Sequence, residues 1–244
     1  MMFRGTVIRP HRTVLPKKNG ILLASRGPNY RALREILKPD VTAPVVDILA
    51  MWTRESSPTG HQSDTRRTTF NIMSGTSISC PHVSGIAAML LQANPSWQPD
   101  WIKSALMTTA YNEDNVGDMA TGEASTPFAR GAGHVDPNVA LNPACYPAFS
   151  VVFYTGGGGG SKQVTQHRFV DLLDRRTWVT YTASVTSPAG TRVTVKPPVL
   201  HFNTTYSRLE YSVTFTPVVE VRPDWYTFGS IVWSDDGGTH RKVK

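Results

Sequence analysis

Gly75-Thr76-Ser77-Ile78-Ser79-Cys80-Pro81-His82-Val83-Ser84-Gly85 sets a serine at the mouth of an apolar run. That run, residues 84–93, reads SGIAAMLLQA and is apolar on nearly every face, the pattern of a helix buried inside a larger domain. A serine so placed has two readings. The glycine ahead of it lets backbone or substrate approach closely, and the N–H groups and dipole at a helix N-terminus favour negative charge, which suits a nucleophile whose reaction builds an oxyanion. Serine is also a common N-cap, and in the second reading Ser77 or Ser79 only closes the end of the helix.

A second helix is expected over 99–110, with Pro99 near its first turn and Trp101, Ala105, Leu106 and Thr109 at i, i+4, i+5 and i+8. Farther on, Thr155 and Ser161 bracket the glycines of 156–160, which have no side chains to pack and predict a flexible loop. Beyond them the period becomes two. Tyr181, Ala183 and Val185 alternate with Thr182, Ser184 and Thr186, and similar runs follow at Val193 and Val195, at Tyr211, Val213 and Phe215, and over 228–233. Pro188-Ala189-Gly190, Pro197-Pro198 and Asp235-Asp236-Gly237-Gly238 mark the turns, so a small β-sandwich is predicted.

With 244 residues and 40% hydrophobic content, the chain suffices for one large or two modest domains with a real core. Its 25 Lys+Arg against 18 Asp+Glu leave a net charge of +7. These basic residues are scattered apart from short groups at 9–12, 17–18 and 241–244, and no basic helix or aromatic-basic ladder stands among them, which argues against nucleic acid as partner. Cys80 and Cys145 are too few for a disulfide framework and lack the spacing of a zinc site; no residue is assigned to a metal or cofactor. No stretch approaches the roughly 18 apolar residues of a membrane span, and the opening MMFRGTVIRPHR lacks the apolar core of a signal peptide. Asn203-Thr204-Thr205 is one N-glycosylation acceptor pattern, usable at Asn203 only in a chain that enters the secretory pathway.

The eleven residues of 75–85 resemble the serine motif of the subtilases, G-T-S-M-S/A-x-P-H-V-x-G, with Ile78 where Met is usual. Ser25-Arg26-Gly27-Pro28-Asn29, the block from Leu37 to Pro44, Ile102 to Ala110 and Pro127 to Val135 are similar to successive blocks of the plant-type members, in the same order. The strand-rich remainder resembles their terminal fibronectin type III-like domain, opening at Tyr146-Pro147-Ala148-Phe149-Ser150. This resemblance implies an α/β peptidase portion over 1–145, the C-terminal helical part of a parallel-sheet fold, followed by an all-β fibronectin type III-like sandwich over 146–244. It further implies a serine endopeptidase acting on proteins or peptides, with Ser77 as nucleophile and its backbone N–H as an oxyanion donor. Gly75, Thr76, Pro81, His82 and Gly85 would support the motif, His82 by packing and hydrogen bonding and not as the catalytic base. A full-length parent would be extracellular, in the apoplast or cell wall.

Triads of this type run Asp, His, Ser along the chain, so both partners should precede Ser77. His11 and His61 lack the family's histidine frame, and Asp40, Asp47 and Asp64 lack its aspartate frame. The oxyanion asparagine also belongs upstream of these residues. The chain alone is therefore expected to be truncated and weak or inactive, the alternative being a catalytically inactive interaction protein derived from the family or a fragment of a larger gene product. Two departures add to this: Val45 stands where the family has glycine, with strain expected if the backbone there needs positive φ, and residues 54–67 read as a hydrophilic exposed loop.

Overall fold

The computed structural model describes residues 26–28, 36–111, 125–141, 143, 163–172, 178–218, 226–235 and 240–243, the last by backbone alone. The predicted glycine loop at 156–160, Cys145 and the boundary between 145 and 146 lie outside the described residues.

Among the described residues the first elements are a hairpin of β1 (Ile48–Met51) and β2 (Phe70–Met73), antiparallel, with Leu49 opposite Ile72 and Met51 opposite Phe70. Among the described residues four helices follow: α1 (Thr76–Ala93), α2 (Pro99–Thr108), α3 (Pro127–Arg130) and α4 (Pro137–Ala140). The last three begin on proline, whose fixed φ suits a first helical residue and whose missing N–H would have had no intrahelical acceptor there. At α4 the Asp136 carboxylate caps the helix, accepting from the backbone N–H of Asn138 (3.0 Å) and Val139 (3.1 Å). Leu90 packs with Trp97, Ala105, Leu106, Val135 and Ala140 to form the core of this portion.

The serine motif forms the first turns of α1, as its place ahead of the apolar run predicts. The helix starts at Thr76, eight residues ahead of the apolar run, and carries Pro81 inside it. Of its residues only Leu90 is buried, and Met89 and Leu91 remain exposed. The face expected to be enclosed is therefore covered only along the Leu90 line, because the described part of the chain lays a single edge of core against it.

A relay of backbone contacts ties the 40–42 segment to 132–135. Asp40 accepts from the N–H of Ala132 (2.8 Å), and Thr42 both donates to Gly133 (2.8 Å) and accepts from Val135 (2.9 Å). Thr42 and His134 form the one parallel bridge among the described residues. Gly131 makes this crossing possible: its φ is 59°, and a Cβ there would run into the carbonyl oxygens of Pro39 and Asp40.

The second portion is the expected sandwich. Its strands are β3 (Val164–Asp171), β4 (Trp178–Thr186), β5 (Thr191–Lys196), β6 (Val199–Asn203), β7 (Arg208–Pro217), β8 (Ser230–Asp235) and β9 (His240–Val243). A three-stranded sheet in the order β3-β7-β5 faces a four-stranded sheet in the order β6-β4-β8-β9, with every pair antiparallel. Period-two burial accounts for the core: Tyr181, Leu200, Phe202, Tyr211, Val213 and Trp233 point inward, and the threonines and serines between the core positions of β4 point to water. The Tyr211 and Trp233 rings meet edge to face at 5.3 Å, as do those of Tyr181 and Phe202 at 5.9 Å. Burial pushes the Tyr211 phenol above the usual range.

Candidate active site

Ser77 is the second residue of α1 and is exposed. Its position leaves its N–H among the four at a helix start that have no intrahelical acceptor. The N-cap is Gly75, with φ 146° and ψ 160° and no side-chain cap, so neither Ser77 nor Ser79 closes the helix end. Instead the Ser79 hydroxyl donates to the carbonyl oxygens of Ala43 (3.2 Å) and Pro44 (3.1 Å), and the Gly75 N–H donates to Val45 (2.8 Å). These contacts pin the helix start to the 43–45 segment and leave the Ser77 side chain on the open side.

Pro81 adds an effect that the sequence reading missed. Within a helix the N–H of residue 81 would bond the carbonyl of residue 77, and proline has no such N–H. Both backbone polar groups of Ser77 thus lack their regular helical partners. The signal lay in the spacing of the serine and the proline.

His82 is half-buried, and its Nδ1 lies 2.9 Å from the Ile78 carbonyl. Since a carbonyl only accepts, Nδ1 carries the proton in that bond, which ties the ring to its own helix. Gly85 sits in α1 with open space around the place a Cβ would take. Cys80 is a free, exposed thiol one turn beyond Ser77. Among the described residues no cluster of His, Cys, Asp and Glu could hold a metal ion.

His11 lies outside the described residues, and Asp40, Asp64 and His61 have partners away from Ser77. Asp40 pairs with Lys38 and with Lys103 (3.4 Å). Asp64 accepts both Nε and Nη2 of Arg66 (each 2.9 Å) and the Thr59 hydroxyl (2.7 Å). The bonds from Arg66 and then from Thr59 hold this carboxyl well below the usual carboxylate range. His61 is exposed, with Nδ1 3.3 Å from the Ser63 hydroxyl. Val45 corrects an expectation. It is 2% exposed, and the non-glycine residue with positive φ among those described is Asp47, at 53°, whose N–H is held by the Ser74 hydroxyl (2.9 Å). Any backbone strain therefore falls on an aspartate, a residue that tolerates the left-handed region.

The family model for "Subtilase family" matches residues 17–133, and that for "Fibronectin type-III domain" matches 141–244. The chain belongs to the subtilase family. Its α/β portion carries the serine motif at the mouth of α1, and its sandwich is the fibronectin type III-like domain. Among curated subtilases, the chain is 40% identical to subtilisin-like protease SBT1.4 of Arabidopsis thaliana, over 96% of its own length and 36% of that protein. It is 39% identical to SBT1.7 over 95% of itself and 36% of the relative, and 35% identical to SBT1.6 over 98% and 37%, both from the same plant. It thus spans little more than a third of these subtilases. A crystal structure of a serine protease of Aeromonas sobria aligns over 76% of this chain and 44% of that one at 11% identity, with a TM-score of 0.26, too low to bear on the fold. No helix among the described residues is long and apolar enough to cross a membrane.

Proposed function

We propose that Ser77 is the nucleophile of a serine endopeptidase that opens peptide bonds through an acyl-enzyme. In this reading the Ser77 hydroxyl attacks the scissile carbonyl, its proton passes to a general base, and the Ser77 N–H receives the oxyanion. Proteins or peptides are the substrates, no cofactor takes part, and the whole protein works outside the cell. The motif residues divide the support: Gly75 and Thr76 turn the chain into the helix, Pro81 frees the Ser77 carbonyl, and His82 locks its ring onto α1 without serving as base. Gly85 leaves open space one turn beyond His82. The peptidase portion ends near 145 and the sandwich begins at 146.

The observation that carries this reading is the exposed Ser77 at the unsatisfied N-terminus of an 18-residue helix, with Ser79 below it clamped to the backbone. Magnitude then limits what the chain does by itself. A serine hydroxyl without a base is a weak nucleophile, and in subtilisin loss of the histidine alone costs about 10⁶-fold in turnover. Among the described residues no imidazole or carboxylate bonds Ser77, so this stretch alone is weak or inactive. A fluorophosphonate probe tests the assignment: labelling of the chain should be slow and should vanish in Ser77→Ala. Labelling that persists in Ser77→Ala would remove Ser77 from the role, and brisk hydrolysis of an unfolded protein substrate would refute the weakness.

A second reading, an interaction protein without catalysis, is favoured by the hairpin. Leu49, Met51, Phe70 and Ile72 are all exposed, and the register places them together on one face. Equal probe labelling of the chain and Ser77→Ala would favour this reading over the first.

A further inference from the structure

The acceptor pattern at Asn203 is the sequence feature that proteolysis does not absorb. Asn203 ends β6, directly opposite Trp178 at the start of β4. The next pairs along the ladder are Val179 with Phe202, both buried, and Thr180 with His201, joined by a 3.1 Å contact between Oγ1 and Nδ1 on the outside. Since successive residues of a strand alternate faces, Trp178 and Asn203 share the solvent face with Thr180 and His201. Opposed residues in such a ladder have Cβ atoms about 5 Å apart. Trp178 is nonetheless 73% exposed, a large apolar ring with little of this chain covering it.

The turn after β6 presents the amide in a defined way. Asn203 Oδ1 accepts from the N–H groups of Thr205 (2.8 Å) and Tyr206 (2.7 Å), and the Asn203 N–H donates to the Tyr206 carbonyl (3.2 Å). This Asx-type turn employs the oxygen of the side-chain amide. Among the described residues its nitrogen, Nδ2, donates no hydrogen bond. Thr204, Thr205 and Tyr206 are exposed, so a substituent on Nδ2 meets water and not core.

We infer that Asn203 is an N-glycan acceptor whose first sugar lies over the Trp178 ring. The co-reactant is a lipid-linked oligosaccharide diphosphate. Asn203 Nδ2 forms a bond to the anomeric carbon, the bond from that carbon to the diphosphate oxygen breaks with its electron pair leaving on the lipid diphosphate, and one amide proton passes to solvent. The hydroxyl of Thr205 supplies the third member of the acceptor pattern. Transfer precedes folding, so the folded turn has to accommodate the sugar, and here it does so without giving up a hydrogen bond. The apolar face of a pyranose over an indole removes both from water, which explains why so large a ring is placed beside a glycan acceptor. The inference needs passage through the secretory pathway and is independent of any role of Ser77.

The full chain behind a secretion leader, translated with microsomes, should show one step of reduced mobility that peptide N-glycosidase reverses. Asn203→Gln and Thr205→Ala should each abolish the step; a translocated chain without it, or a step that survives both changes, overturns the assignment. This arm does not depend on folding. For the packing, the glycosylated chain is trimmed with an endoglycosidase that leaves the first sugar, and its thermal midpoint is compared with that of Asn203→Asp, the product of complete removal. The trimmed chain should melt a few degrees higher, and Trp178→Ala should erase that difference. A difference that persists without Trp178 would overturn the packing.

Discussion

At the scale of single residues, the two motif glycines of α1 carry opposite predictions although neither has a close neighbour. A Cβ at Gly75 or at Gly85 would meet nothing within 4 Å, so a steric account predicts no effect at either. Backbone conformation separates them. Gly75, at φ 146° and ψ 160°, lies in a region that only glycine populates. Gly75→Ala should therefore lower stability by about 1–3 kcal/mol, read as a fall in urea midpoint at unchanged m. Gly85 sits mid-helix, where alanine is favoured over glycine by about 1 kcal/mol, and Gly85→Ala should raise the same midpoint. A midpoint that falls for Gly85→Ala and holds for Gly75→Ala would show that packing, not dihedral preference, selects these residues. The place of Ser77 in the first turn of α1 was legible because its motif is contiguous in sequence. The Ser79 clamp onto Ala43 and Pro44 was not, since it joins residues 35 or more positions apart.

Among the elements, the strands of the sandwich and α2 were readable because burial follows a fixed period: Tyr181, Tyr211, Val213 and Trp233 fall on the inner face as alternation requires, and α2 spans Pro99–Thr108 within the expected 99–110. The start of α1 was legible only through the serine motif, because its first two turns are fixed by polar contacts with the 43–45 segment and not by a periodic apolar stripe. The loop between β1 and β2 read correctly as exposed, yet it is organised. Trp52 Nε1 donates to Ser56 (3.2 Å), Asn71 Nδ2 to Pro58 (2.9 Å), and Asp64 gathers Arg66 and Thr59. A carboxyl with a depressed pKa contributes order fully above its unfolded value, near 4, and loses it only as pH falls through the lower folded value. The Arg66 amide, held by Asp64 (3.1 Å), should thus keep its exchange protection at pH 4 and lose it only in stronger acid. Asp64→Asn should speed tryptic cleavage after Arg66 and Arg67 several-fold at neutral pH. Protection already lost between pH 6 and 4, or unchanged tryptic cleavage, would mean that the ion pair does not hold the loop.

For the whole molecule, the joint between the two portions decides whether they unfold together. Phe128 of α3 meets the rings of Tyr226 and Phe228, just ahead of β8, edge to face at 4.7 Å and 5.3 Å, and its carbonyl accepts from the Gly27 N–H (2.9 Å). Gly229 lets that segment lie against β4, since a Cβ there would run into the Thr186 carbonyl and Pro188. Each aromatic pair is worth about 0.5–1.5 kcal/mol beyond its burial, so Phe128→Ala removes about 1–3 kcal/mol of coupling before lost burial is counted. Small interfaces between domains leave relative motion as the default, and this cluster opposes it. The peptidase portion, with four exposed large apolar residues on its hairpin and a core along one edge of α1, should be the less stable partner. Calorimetry of Phe128→Ala should accordingly resolve two transitions, the earlier one from the peptidase portion and the later at the midpoint of the sandwich alone. A single transition at the unaltered midpoint would place the coupling elsewhere than in these three rings.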